Sequence, residues 1–202
     1  MFQFFLAALI VAVVPGPDNL FVLAQSATFG RKAGLRVILG LCTGIGIQVA
    51  LLVAGVSAII VNSPVAFFVL QCCGATYLLY LAFRSFQVRA SAVKVSGAVS
   101  LSPKQQYTRG VIMNLTNPKA VLFLLAFLPP AVDMKSSMAP ALQMVCLGAL
   151  FIFSVLIVFG AIAFAAGFLN DYLGKSPRAN RNLNWASGAI FVLLAVSLFV
   201  AI

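Results

Sequence analysis

Two polar clusters interrupt otherwise apolar stretches of this chain, and they hold the residues with chemistry to offer. The first is Pro15-Gly16-Pro17-Asp18-Asn19; the second runs from Asn114 to Asn117-Pro118-Lys119. A proline inside a helix removes its own N–H and frees the carbonyl four residues earlier. For Pro15, Pro17 and Pro118 those carbonyls belong to Val11, Val13 and Asn114. Gly16, between two prolines, adds backbone freedom. A helix restarting after such a break presents unpaired N–H groups and partial positive charge, which suit a carboxylate, while the freed carbonyls suit an ammonium group or a cation. A broken helix therefore offers both complements of a zwitterion. Asp18 and Lys119 add one charge of each sign, and Asn19, Asn114, Thr116 and Asn117 surround the breaks as caps or ligands.

The elements that carry these clusters follow from composition. The chain has 202 residues, 63% hydrophobic and 8% charged, with no histidine, and a mean hydropathy of +1.12. So few charges cannot cover a soluble surface, so an all-α integral membrane protein of one domain is expected. Runs of roughly 20 apolar residues span a bilayer as helices. Six such runs are predicted, at about 2–27, 37–61, 65–83, 110–130, 138–168 and 184–202, with Asn62-Ser63-Pro64 turning the chain between the second and third. The start of the chain has no basic n-region, so its apolar stretch reads as a retained first span and not a cleaved signal.

The net charge of +10 reports topology, not nucleic-acid binding, because the basic residues lie between the apolar runs. Alternate loops hold Arg31, Lys32 and Arg36; Arg84, Arg89, Lys94, Lys104 and Arg109; and Lys175, Arg178 and Arg181. The opposite face has only Lys135. That asymmetry puts the odd-numbered loops in the cytoplasm and both ends outside; the alternative is a first segment turned back by its prolines without crossing. Residues 87–108 read as a cytoplasmic linker between residues 1–86 and 109–202. Three spans in each part would make two inverted three-helix repeats, with broken first and fourth helices. Pro17-Asp18 and Pro118-Lys119, each followed by an apolar run, lead the two parts alike.

Asp18 and Lys119 fall within roughly 5 Å of their span midpoints at the helical rise. Charges at that depth are costly and mark transport pathways, although a plain ion pair clipping the two parts together would also account for them. Gly40, Gly44 and Gln48 share one helix face, which reads as close helix packing. Tyr77, Tyr80 and Arg84 read as an interfacial anchor. The four cysteines, Cys42, Cys72, Cys73 and Cys146, lack metal-ligand or redox spacing and read as packing residues.

The early proline break, Gly30-Arg31-Lys32-Ala33-Gly34, Tyr77-Leu78-Leu79-Tyr80-Leu81 and Asn114-Leu115-Thr116-Asn117-Pro118-Lys119 together resemble the LysE/RhtB family of amino-acid exporters across essentially the whole chain. The resemblance implies proton-driven efflux of amino acids or close derivatives, through the inner membrane of a bacterium. Its partners would be an amino-acid substrate, protons and the lipid bilayer, with room for a homo-oligomer and no nucleic acid. The expected substrate site comprises Pro15, Gly16, Pro17, Asp18, Asn19, Asn114, Asn117, Pro118 and Lys119. With no third membrane-embedded charge to read a charged side chain, neutral substrates such as threonine, homoserine or leucine are favoured. No cofactor, resident metal or catalytic residue is expected, and the chain does not read as an enzyme. A divalent-metal exporter of a related fold is the alternative; one membrane carboxylate and no histidine argue against it.

Overall fold

A computed structural model describes residues 1–62, 64–87, 99–166, 168 and 177–200. Ser63 of the expected turn, the linker residues Arg89 and Lys94, Lys175, and the last two residues of the sixth expected span lie outside them. Among the described residues the fold is entirely helical. The helices are α1 (Phe2–Val13), α2 (Pro17–Phe29), α3 (Arg31–Asn62), α4 (Pro64–Gln87), α5 (Pro103–Thr116), α6 (Pro118–Phe127), α7 (Pro140–Phe164) and α8 (Pro177–Val200).

The chain breaks at both proline clusters. α1 and α2 are bent by 60°, and α5 and α6 by 54°. In each pair the second helix begins on a proline, whose missing N–H is no loss in the first turn. Gly16 precedes Pro17 in extended backbone, and Asn117 precedes Pro118 likewise, the conformation favoured for a residue before proline. Among the described residues, Arg31–Gly55 of α3 and Pro140–Phe164 are long and apolar enough to cross a membrane; counting each bent pair as one span makes four.

Several helices start outside the expected runs. α5 begins at Pro103, within the stretch read as linker. Ser102 and Gln105 form a reciprocal capping box, with Ser102 N donating to Gln105 Oε1 at 2.8 Å and Gln105 N to Ser102 Oγ at 3.3 Å. With Pro103 in the first turn, that is a strong helix start among polar residues. α3 starts at Arg31, directly after Gly30, whose φ of +85° lets the chain turn sharply out of α2. Arg31 pays for its position with Phe164, its guanidinium lying 5.1 Å from the ring centroid, so the start of α3 meets the end of α7.

α3 packs most extensively on α5, α4 on α8, and α3 also crosses α7, while α1 lies on α7. Glycines set these approaches. A Cβ on Gly40 would lie 3.0 Å from Gly110 Cα and 2.9 Å from Val111 N, so the α3 and α5 backbones touch. Gly148 of α7 admits Val49 of α3, and Gly188 of α8 admits the Phe86 ring of α4. The central core carries Phe123, Phe151 and Phe159 with Leu41, Ile45 and Leu147, all buried. On the loop between α6 and α7, the Gln143 side chain accepts from Asp133 N at 2.9 Å and donates to Asp133 O at 3.0 Å and Met138 O at 2.8 Å.

Candidate functional site

The two breaks meet at Lys119. This second residue of α6 is only 8% exposed, and its side chain reaches from the second half of the chain into the first. Its Nζ donates to Val14 O at 3.0 Å, to Asn19 Oδ1 at 3.2 Å and to Asp18 Oδ1 at 3.4 Å. An ammonium group has three hydrogens, and here all three have acceptors. Asp18 and Asn19 are themselves buried, so this is an ion pair largely shielded from water, where losing one partner strands the other.

Each break also deals with its orphaned backbone. Val14 caps α1, so its carbonyl lacks a helical partner and serves Lys119. One residue pair further in, Asn19 Nδ2 donates to Ala12 O at 2.9 Å. At the first break the carbonyl that meets a cation is Val14 O, one residue beyond the freed Val13 carbonyl, and the cation is the protein's own Lys119. At the second break, Asn117 caps α6 by accepting from Lys119 N at 3.0 Å. Its Nδ2 is buried and has no hydrogen-bond partner among the described residues. Asn114 O, freed by Pro118, accepts from Gln48 Nε2 at 2.9 Å and from Asn117 N at 3.1 Å.

Gly16 has a definite steric role. A Cβ there would stand 2.6 Å from Asp18 Oδ1 and 3.1 Å from Lys119 Nζ, so the ion pair lies directly against its backbone. Gly44 similarly makes room for the Asn114 side chain, at 2.7 Å from where a Cβ would sit to Asn114 Cβ. The structure therefore gathers Gly16, Asp18, Asn19 and Lys119 into one cluster, with Asn117 beside it as a cap and Asn114 joined to Gln48. Thr116 stays outside, exposed and bonded back to Ile112 O at 2.8 Å.

An open cavity of about 570 Å³ lies against this cluster. Its lining includes Pro15, Gly16, Pro17, Asn117, Pro118 and Lys119 from the two breaks, together with the polar Arg84, Ser85 and Asn184. Leu20, Tyr77, Leu81 and Phe191 line it as well. The size falls in the range of about 300–1,000 Å³ typical of small-molecule sites, as does the pattern of apolar walls with few polar groups.

Gln48 and the residues from α4 and α8 were not among the expected site residues. Gln48 is a lone amide in an apolar span on the face of Gly40 and Gly44, which is the signal that pointed to it. Tyr77, Tyr80 and Arg84 had the look of a plain anchor; in the fold Tyr80 and Arg84 are exposed, and Tyr77 and Arg84 line the cavity.

Bent apolar helices converging on a buried ion pair beside an open cavity define a multi-pass membrane protein. The chain belongs to the LysE type translocator family, whose model matches residues 9–201. It is 30% identical to the leucine efflux protein of Salmonella typhimurium, over 96% of this chain and 92% of that one. The leucine efflux protein of Salmonella paratyphi A matches to the same degree, 30% identical over 96% and 92% of the two chains. An uncharacterized membrane protein of Vibrio cholerae is 28% identical over 94% of this chain and 91% of its own. No solved structure matches the chain. With its family, the protein resides in the bacterial inner membrane.

Proposed function

We propose that this protein exports small neutral amino acids or close derivatives from the cytoplasm, by exchange for protons. The observation that carries the reading is the buried Asp18–Asn19–Lys119 cluster, built where two broken helices meet and open to a cavity of about 570 Å³. The names of the leucine efflux relatives support an amino-acid cargo. Apolar cavity walls and the lack of a further buried charge among the described residues favour a neutral side chain.

In this mechanism Asp18 receives either the substrate's ammonium or a proton. Substrate ammonium competes with Lys119 Nζ for the oxygens of Val14, Asp18 and Asn19. The displaced Lys119, with the N-terminal N–H groups of α2 and α6 and the Asn117 amide, receives the carboxylate. Protonation of Asp18 from outside removes the charge that holds the ammonium and releases the cargo there. The proton then leaves to the cytoplasm as Lys119 returns. Pro15, Gly16, Pro17 and Pro118 keep the backbone open for this exchange.

The framework proposed is six spans in two inverted repeats, residues 1–86 and 109–202, joined by the linker 87–108, with both ends outside. The helix pairings support it. Exchanging the halves turns the α3–α5 contact into α7–α1, and leaves α3–α7 and α4–α8 as partners of themselves. The similar bends of 60° and 54° fall at equivalent places.

An efflux assay tests the function. Cells lacking and carrying the protein are loaded with leucine-, threonine- and lysine-containing dipeptides, and each excreted amino acid is measured. Faster excretion of a neutral amino acid, abolished by collapsing the proton gradient, is expected. Equal excretion by both strains for every amino acid would overturn the reading.

A further inference from the structure

We infer that Arg84 is the residue that captures the substrate carboxylate in the cytoplasmic vestibule, before the cargo reaches the break. The inference rests on the exporter reading and deepens it. In the present arrangement Lys119 cannot serve this role, because its three hydrogens go to Val14 O, Asp18 Oδ1 and Asn19 Oδ1. A carboxylate arriving from the cytoplasm must therefore meet another cation first. Arg84 lines the same cavity as Lys119, from the last turn of α4.

Its surroundings fit the role. Among the described residues Arg84 has no ion-pair or hydrogen-bond partner; the ion pair found there joins Lys119 to Asp18. The whole chain has three acidic residues, Asp18, Asp133 and Asp171, of which Asp171 lies outside the described residues. Asp18 is held by Lys119, and Asp133 Oδ1 accepts from Lys135 N at 2.9 Å in the loop between α6 and α7. Ser85 adds a polar group to the lining of the same cavity. A planar guanidinium binds a carboxylate in two parallel hydrogen bonds, which a lysine does not reproduce. Leu20, Tyr77, Leu81 and Phe191 then offer an apolar wall to the side chain of the same molecule. The recognised ligand is thus an α-carboxylate on a molecule with an aliphatic side chain.

The competing account is an interfacial arginine that merely holds α4 at the membrane surface. Leucine and leucinamide separate the two, because they share ammonium and side chain and differ in the carboxylate. Inverted membrane vesicles present the cytoplasmic face to added ligand. Transport of labelled leucine is measured there, with unlabelled leucine or leucinamide as competitor, for wild type and Arg84→Gln at matched membrane abundance. We expect wild type to prefer leucine by about tenfold or more, the scale of a charge-assisted contact, and Arg84→Gln to lose most of that preference while leucinamide competes as before. An unchanged preference, or equal weakening of both ligands, would overturn the inference.

If Arg84→Gln does not accumulate, wild-type protein decides. Phenylglyoxal modification of Arg84, read by mass spectrometry of its peptide, should be slowed by leucine and not by leucinamide; equal protection or none overturns the assignment. Vesicles that transport no neutral amino acid at all would instead overturn the exporter reading, and this inference with it.

Discussion

Lys119 binds the first half of the chain through three acceptors, two of them side chains and one a backbone carbonyl. That geometry makes a structural clip and a working site separable by substitution. Lys119→Met keeps chain length and removes the cation, leaving Asp18 buried without its partner, which costs about 3–5 kcal/mol. Asp18→Asn keeps size and hydrogen bonding but removes the titratable charge. Each single variant should abolish efflux, and Lys119→Met should lower the amount of folded protein as well. Combining Asp18→Asn with Lys119→Met should restore abundance, measured by immunoblot of membranes, while efflux stays dead. Full efflux in the double variant would show that the pair is only a clip.

At the scale of elements, glycine position decides which helix contacts tolerate change. At Gly110 a Cβ would meet backbone, at 3.1 Å from both Gly40 Cα and Leu41 N and closer still to Val37 O. None of these backbone atoms has a rotamer to move aside, so Gly110→Ala should destabilise the protein by about 1–3 kcal/mol, as overpacking does. Gly160→Ala is the control, since nothing lies within 4 Å of the added atom. Heating in detergent followed by size-exclusion chromatography should show an earlier loss of the monodisperse peak for Gly110→Ala, and none for Gly160→Ala. Equal melting of the two would mean that α3 and α5 do not touch through their backbones.

The proline breaks were readable in the sequence because proline's effect is local: a missing N–H and a fixed φ act wherever the residue stands. The capping box at Ser102 was local too, but it sat among polar residues, and composition hid it. Partners drawn from distant segments were a different matter. Asp18 and Lys119 stood out individually as charges in apolar runs, yet no spacing in the chain specifies that Val14 O and Asn19 complete the lysine's shell. Gln48 on Asn114 O, and Arg84 facing the cavity of Lys119, depend likewise on how helices pack.

For the whole molecule, the sidedness of charge fixes the expected orientation. Arg31 stacking on Phe164 brings the start of α3 and the end of α7 to one side. Arg36 Nη1 also donates to Gln106 Oε1 at 3.2 Å, placing the N-terminal ends of α3 and α5 on that same side. The starts of α3 and α5 and the end of α7 thus share one side, which the proposed topology assigns to the cytoplasm by the positive-inside rule. Single cysteines placed at position 1 or 202 of a cysteine-free variant should react with an impermeant maleimide in intact cells, and cysteines at position 32 should not. A protected position 1 with a labelled position 202 would mean that the first segment turns back within the membrane.

The Gly40–Gly110 contact has a mechanical consequence. Two backbones pressed together, with no side chain between them, cannot part gradually by rotamer change; they remain seated or separate altogether. Because α3 and α5 come from opposite halves of the chain, the proposed exchange would have to proceed with that seam either kept whole or parted in one step.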